Sequence, residues 1–250
     1  MKAHWEAFEA DIEGTPAWIL FNATAAHELP NLDLPNLLRV QLDYERDKDG
    51  APLPAEEDRM QELETELEDW ISAIGGRFVG QVTADGARTL FFYVSCGREE
   101  AENLLRRIAI RRDMDLGMRM EADPQNRVYF ELLLPTADER RRMRDLAAIS
   151  ELAANGDRLE EPRPIEHTAR FANRHQAIAF ANWARKNGFV VDGILSPAPE
   201  REHFVLQFHR LAAPLPEIID TDTAAISAMA SQLGGTYEGW QTELRVQAAV

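Results

Sequence analysis

Ile165-Glu166-His167-Thr168-Ala169-Arg170-Phe171 is the stretch on which the reading of the fold turns. Apolar and polar side chains alternate along it, the period-2 pattern of a half-buried strand. Downstream, Ala177, Phe180, Ala181 and Ala184 recur at helical spacing, and Gly188 stops the helix. Phe189 to Leu195 reads as a second strand, Ser196-Pro197-Ala198-Pro199 as a loop, and Glu202 to Arg210 as the return strand. Ile226, Met229, Ala230 and Leu233 mark another helix, closed by Gly234-Gly235, and Tyr237 to Val246 reads as the last strand. The order is β-α-β-β-α-β.

Upstream, Pro162 and Pro164 break the chain after a linking helix from about Ala137 to Ala154, with Gly156 just past its end. Before that helix the same order is legible. Leu38, Val40, Leu42 and Tyr44 alternate as a strand; Met60, Leu63, Leu67, Trp70, Ile71 and Ile74 repeat as a helix ended by Gly75-Gly76. Phe78 to Thr83 and Thr89 to Ser95 read as strands joined at Ala84-Asp85-Gly86-Ala87. Ala101, Leu104, Leu105 and Ile108 make a second helix, and Leu116, Met118 and Met120 a strand. Val128, Phe130, Leu132 and Leu134 alternate as one extra closing strand, and Trp5 to Asn22 adds aromatic strand signals at the front. The expectation is an α+β protein of two ferredoxin-like sandwiches in tandem, the first with an extra N-terminal hairpin, in domains 1–135 and 136–250. No residue-level repeat links the two.

The chain has 250 residues, 27 basic against 43 acidic, and a formal charge of −16. Residues 1–135 carry 14 basic and 27 acidic residues, and residues 136–250 carry 13 and 16. An acidic surface repels a polyanion, because nucleic-acid affinity comes mainly from Lys and Arg neutralising phosphates. Direct nucleic-acid binding is therefore disfavoured, and a basic protein partner is favoured. RNA-recognition motifs share the strand order but carry a basic aromatic signature. His203-Phe204-Val205-Leu206-Gln207-Phe208 lacks it. The single cysteine excludes an intramolecular disulfide framework. No apolar run approaches a membrane span, and Met1-Lys2-Ala3-His4-Trp5-Glu6 opens no signal core. A reducing cytoplasm is expected. The basic residues are 24 Arg and 3 Lys, the bias of a GC-rich bacterial genome.

Few side chains suggest chemistry. Glu45, Asp47, Asp49, Gly50 and Glu56 follow calcium-loop spacing. Pro52 and the strand pattern before Glu45 oppose that reading, so no metal is expected. Cys96 stands where a strand meets a helix, but nothing identifies a base or an oxyanion site for it. Gly-Lys-Ser/Thr, GxGxxG, GxSxG and HExxH patterns are missing, so no catalytic residue and no cofactor is assigned. Arg140-Arg141-Arg142-Met143-Arg144 reads as a solvated helix face. In His203 to His209, Phe204, Leu206 and Phe208 share the face that packs under the helices. His203, Gln207 and His209 share the other, with the two histidines roughly 20 Å apart and unable to ligate one metal. Glu166, Thr168 and Arg170 of the neighbouring strand join that polar face, whereas His167 points into the core. Glu166, Thr168, Arg170, His203, Gln207 and His209 are thus the candidate binding residues.

Gly156-Asp157, Arg163-Pro164-Ile165-Glu166-His167, Phe171, Gly188-Phe189 and Gly234-Gly235-Thr236-Tyr237-Glu238-Gly239-Trp240 together resemble the regulator of ribonuclease activity B family, over about residues 137–248. The family more often carries Asp where Glu238 stands. Trp5, Phe8, Gly14-Thr15-Pro16-Ala17, Gly80-Gln81-Val82-Thr83, Gly86-Ala87-Arg88 and Phe91-Phe92-Tyr93 are similar to the domain-of-unknown-function family 695. The first resemblance implies a non-enzymatic regulator that binds a large endoribonuclease of the E type and reduces its RNA cleavage. The motif itself reads as structural. Gly234 suits a helix terminus at positive φ, and Gly235 lets the chain reverse. Tyr237 and Trp240 would lie on opposite faces of a regular strand, so at least one of them packs in the core. Three readings stand at this point: an endoribonuclease regulator, a two-domain scaffold unrelated to RNA decay, and an enzyme or small-ligand sensor with a pocket between the halves. Oligomeric state is not legible.

Overall fold

Two residues in the left-handed region, Glu13 and Gly14 (φ 53° and 86°), turn β1 (Trp5–Ile12) back onto β2 (Thr15–Asn22). Paired left-handed residues give the turn whose twist matches that of the strands. The computed structural model describes residues 3–46, 51–197 and 202–246. Asp47, Asp49 and Gly50 of the calcium-like spacing lie outside the described residues. The chain is mixed α+β with two antiparallel sheets. It divides into two compact units, Met1–Glu139 and Arg140–Val250.

In the first unit the elements run β3 (Asn36–Asp43), α1 (Pro54–Ala73), β4 (Arg77–Ala84), β5 (Ala87–Val94), α2 (Arg98–Arg112) and β6 (Gly117–Ala122). With the hairpin they form a six-stranded sheet in the order β1-β2-β4-β5-β3-β6, every pair antiparallel. Both helices cover one face. Met60, Leu63, Leu67 and Ile71 of α1 and Ala101, Leu105 and Ile108 of α2 bury against Leu38, Val40, Leu42, Leu90 and Phe92. Each large side chain buried this way contributes about 1.5–3 kcal/mol before entropy is counted. Pro54 starts α1, with Glu56 and Glu57 in its first turn, where the helix dipole favours negative charge. Arg88 lies under the same helix, where its guanidinium donates to both Glu57 and Glu64.

The opposite face departs from expectation. Residues 128–134 are not a strand; Tyr129–Leu133 is a wide helical turn. Its cause is local. The Asp123 carboxylate accepts from the backbone N–H groups of Arg127 (2.8 Å) and Val128 (3.0 Å), capping a helical start just after Pro124. Burial raises the Asp123 carboxyl, but those two donors and the Tyr93 hydroxyl more than reverse this and hold it below its ordinary value. The buried pair is then Tyr129 and Leu133, four residues apart, while Phe130 is exposed. Tyr129 donates its hydroxyl to the Asn22 carbonyl at 2.7 Å, tying this turn to β2.

From α3 (Ala137–Ala154), whose first turn precedes the boundary, the second unit continues through β7 (Arg163–Phe171), α4 (Arg174–Lys186), β8 (Val190–Leu195), β9 (Phe204–Ala212), α5 (Pro216–Gln232) and β10 (Gly235–Thr242). Its four-stranded sheet runs β10-β7-β9-β8, all antiparallel. A capping box starts α3: the Glu139 N–H donates to the Thr136 hydroxyl, and the Thr136 N–H to the Glu139 carboxylate. Asn173 caps α4 by accepting from the Gln176 N–H at 3.0 Å. Ala177, Phe180, Ala181 and Ala184 of α4 and Ile226 and Ala230 of α5 pack on Ala169, Phe171, Leu206 and Phe208. Among the described residues no helix is long and apolar enough to cross a membrane.

Candidate functional site

The strand register decides which polar side chains of the second unit meet. Glu166 of β7 lies directly across from His209 of β9, Thr168 from Gln207, and Arg170 from Val205. Directly opposed residues share a face, so Glu166, Thr168, Arg170, Gln207 and His209 form one patch on the side of the sheet away from the helices. His203 is the exception. β9 begins at Phe204, so His203 precedes the ladder and belongs to the loop before it.

Neighbouring strands order this patch. Arg170 pairs with Glu238 of β10 at 2.9 Å. Gln241 donates to the Glu166 carboxylate at 2.7 Å, and His209 Nδ1 lies 2.9 Å from the Asp192 carboxylate. Around these pairs Val190, Leu195 and Leu211 are 56, 40 and 72 % exposed. The apolar members escaped the sequence reading. Leu211 alone continues the alternation of Gln207 and His209; Val190 and Leu195 join through pairing with His209 and Val205. The patch offers hydrogen-bonding groups ordered by ion pairs beside exposed aliphatic side chains, a surface suited to protein contact.

Beneath it the family motif builds the core. Gly234 follows α5 at φ 70°, the helix-terminating conformation expected of it. A Cβ at Gly235 would enter the Phe171 ring, so glycine is required there for close packing. Tyr237 and Trp240 do not lie on opposite faces. A bulge between Tyr237 and Gly239 inserts Glu238 as an extra residue, with Gly239 at φ 134°. One extra residue flips the parity of everything after it. Tyr237 opposite Ala169 and Trp240 opposite His167 therefore both face the helices, and Glu238 is turned outward to Arg170.

Their polar ends enter a buried network. The Tyr237 hydroxyl is 2.9 Å from His167 Nδ1, whose ring stacks on Phe208 at 5.4 Å between centroids. Burial, with Arg210 nearby, lowers the His167 pKa to about 3, so the ring is neutral. Burial likewise pushes the Tyr237 hydroxyl far above its ordinary range. Trp240 Nε1 donates to Asp145 at 2.9 Å, and Asp145 also receives the Thr223 hydroxyl at 2.7 Å. Arg141 donates to Asp145 at 3.2 Å and to Asp220 at 2.9 Å. Arg141 is only 3 % exposed, which corrects the reading of the whole Arg140–Arg144 run as solvated. The i, i+4 spacing of Arg141 and Asp145 was the signal available in the sequence. On the other unit, Cys96 is buried, and burial together with Glu100 raises its thiol above the ordinary value, the opposite of an activated nucleophile.

Comparison with known families covers both units. Residues 143–242 match the family described as regulator of ribonuclease activity B. Residues 3–134 match the family of unknown function DUF695. No curated protein matches the chain. The second match spans more than half of the 250 residues, so the chain belongs to the DUF695 family, and its C-terminal unit is similar to the regulators of ribonuclease activity B.

Proposed function

We propose that the chain is a non-catalytic, protein-binding regulator of an endoribonuclease of the ribonuclease E type, and through it of RNA decay, in a bacterial cytoplasm. The match of residues 143–242 to the regulator of ribonuclease activity B family carries this reading. In it, residues 1–135 and 136–250 are tandem ferredoxin-like domains. The orders β4-β5-β3-β6 and β8-β9-β7-β10 fit that architecture, each setting the fourth strand of β-α-β-β-α-β beside the first. Glu166, Thr168, Arg170, Gln207 and His209 form the contact face, with Val190, Leu195 and Leu211 as its apolar part and His203 at its margin. The formal charge of −16 favours a partner with basic segments, by electrostatic steering.

The test is a titration of the source organism's endoribonuclease with the full chain, reading direct binding and RNA cleavage together at low salt. Saturable binding with reduced cleavage is expected. The double variant Arg170→Ala/His209→Ala should weaken binding by about tenfold, the effect of losing two contacts worth roughly 0.7 kcal/mol each. Absence of binding at tens of micromolar would reject the regulator reading. Binding undiminished by the double variant would move the contact face elsewhere.

A further inference from the structure

Two arginines face each other in the first unit where opposite charges would be expected. Arg39 of β3 lies directly across from Arg119 of β6. Like charges in directly opposed positions destabilise a sheet. Glu121 compensates in part, meeting Arg39 Nη2 at 2.6 Å and Arg119 at 3.8 Å. One positive charge is left over, within a stretch whose other charges are predominantly acidic.

The pair lines a cleft of about 410 Å³ on the sheet face away from α1 and α2. Its floor is two cross-strand rows, Phe91–Arg39–Arg119 and Val82–Thr89–Gln41, with Gly117 at the end of the second row packed close against Gln41. Leu132 of the helical turn and Ile12 at the end of β1 supply apolar walls. The volume is that of a small-molecule site, and the lining is apolar with a few convergent polar groups. Arg39 lies over the Phe91 ring, its guanidinium carbon 5.7 Å from the centroid. Its Nε is buried with no hydrogen-bond partner among the described residues. The Arg39 side chain as a whole stays 25 % exposed, and with Arg119 it lines the cleft.

We infer that this cleft in the DUF695 unit binds a small organic carboxylate with an apolar body, held by Arg39 and Arg119 over Phe91. Guanidinium N–H groups match a planar carboxylate, and the accessible parts of Arg39 and Arg119 supply them here. Glu121 already holds the Nη2 of Arg39, so the residual charge suits one carboxylate better than a dianionic phosphate. The apolar body lies along Val82, Leu132 and Ile12. This site stands apart from the ribonuclease reading, since every residue in it belongs to the first unit.

The full chain is titrated calorimetrically with 3-phenylpropionate and, separately, with the neutral 3-phenylpropanamide. The carboxylate should saturate with a Kd on the order of 1 mM, as expected for so small a ligand. The amide should bind at least about tenfold more weakly, having lost the charge-assisted bonds. Arg39→Gln should weaken the carboxylate about tenfold. Arg119→Gln, on a side chain 72 % exposed and so safe for folding, should weaken it about threefold. Arg112→Gln, on α2 under the other sheet face, should leave it unchanged. Three results would overturn the assignment: no saturation by the carboxylate at about 20 mM, far above that Kd, equal binding of the amide, or carboxylate binding that neither cleft variant weakens.

Discussion

Trp240 and Arg141 converge on one carboxylate, that of Asp145, and they stabilise it by different physics. Trp240→Phe keeps most of the apolar contact and removes one N–H donor, so it should cost about 1 kcal/mol. Trp240→Ala also removes packing against Ile149, Ile165 and Ile219, and should cost about 3 kcal/mol. Arg141→Ala should cost at least as much, about 3 kcal/mol, because it leaves Asp145 buried without its cation. Urea unfolding of the three variants ranks them; a Trp240→Phe variant as damaged as Trp240→Ala would mean the hydrogen bond dominates. His167 gives a pH signature. Its folded pKa, about 3, lies below the ordinary 6.5, so the unfolded chain takes up a proton that the folded chain refuses. Its contribution to stability is therefore whole above pH 6.5 and lost as the pH falls toward 3, by about 1.4 kcal/mol per unit. His167→Gln should show a stability-versus-pH slope between pH 6 and 5 shallower by about that amount, and equal slopes would place a charged ring in the core.

At the scale of elements, two departures from sequence expectation are local backbone events that side-chain periodicity does not report. Residues 128–134 alternate like a strand, yet the Asp123 carboxylate captures the N–H groups of Arg127 and Val128 and winds a turn instead. The two readings bury different residues, so mutation separates them. Leu133→Ala should cost about 3 kcal/mol as a buried cavity, and Phe130→Ala under about 1 kcal/mol as an exposed side chain. The reverse ranking would restore the strand. In β10, Gly239 at φ 134° lets Glu238 bulge, and nothing lies within 4 Å of a Cβ built there. Gly239→Ala should therefore cost about 1–3 kcal/mol through backbone conformation alone, with no steric clash, as read by the shift in melting temperature.

Among the described residues each compact unit buries apolar core of its own. Units with their own cores are expected to unfold as their own cooperative blocks. In calorimetry, Leu133→Ala should lower one transition and Trp240→Ala the other; a single transition lowered by both variants would show that the units unfold as one. Charge acts at this scale too. Affinity for a basic partner should fall as salt rises from about 0.05 to 0.5 M, because a Debye length near 10 Å at 0.1 M shrinks further. A partner whose binding ignores salt would be held by Val190, Leu195 and Leu211 instead of by charge.

Outside residues 128–134, the strands and helices of both units were legible in the sequence because burial on one side writes a period of 2 or 3.6 into the residue pattern. So was the polar face of Glu166, Thr168, Arg170, Gln207 and His209, which follows from alternation alone. The glycine at the end of α5 and the buried His167 were read the same way. What only the tertiary structure decided lies where contacts come from distant parts of the chain. The parity of Trp240 depends on a one-residue bulge, and the burial of Arg141 depends on Asp220 and Thr223, some 80 positions away. The facing of Arg39 with Arg119 exists only once β6 has returned to pair with β3. Periodicity records which side of an element is dry; it does not record which partner from elsewhere arrives there, because that is set by register and packing between segments.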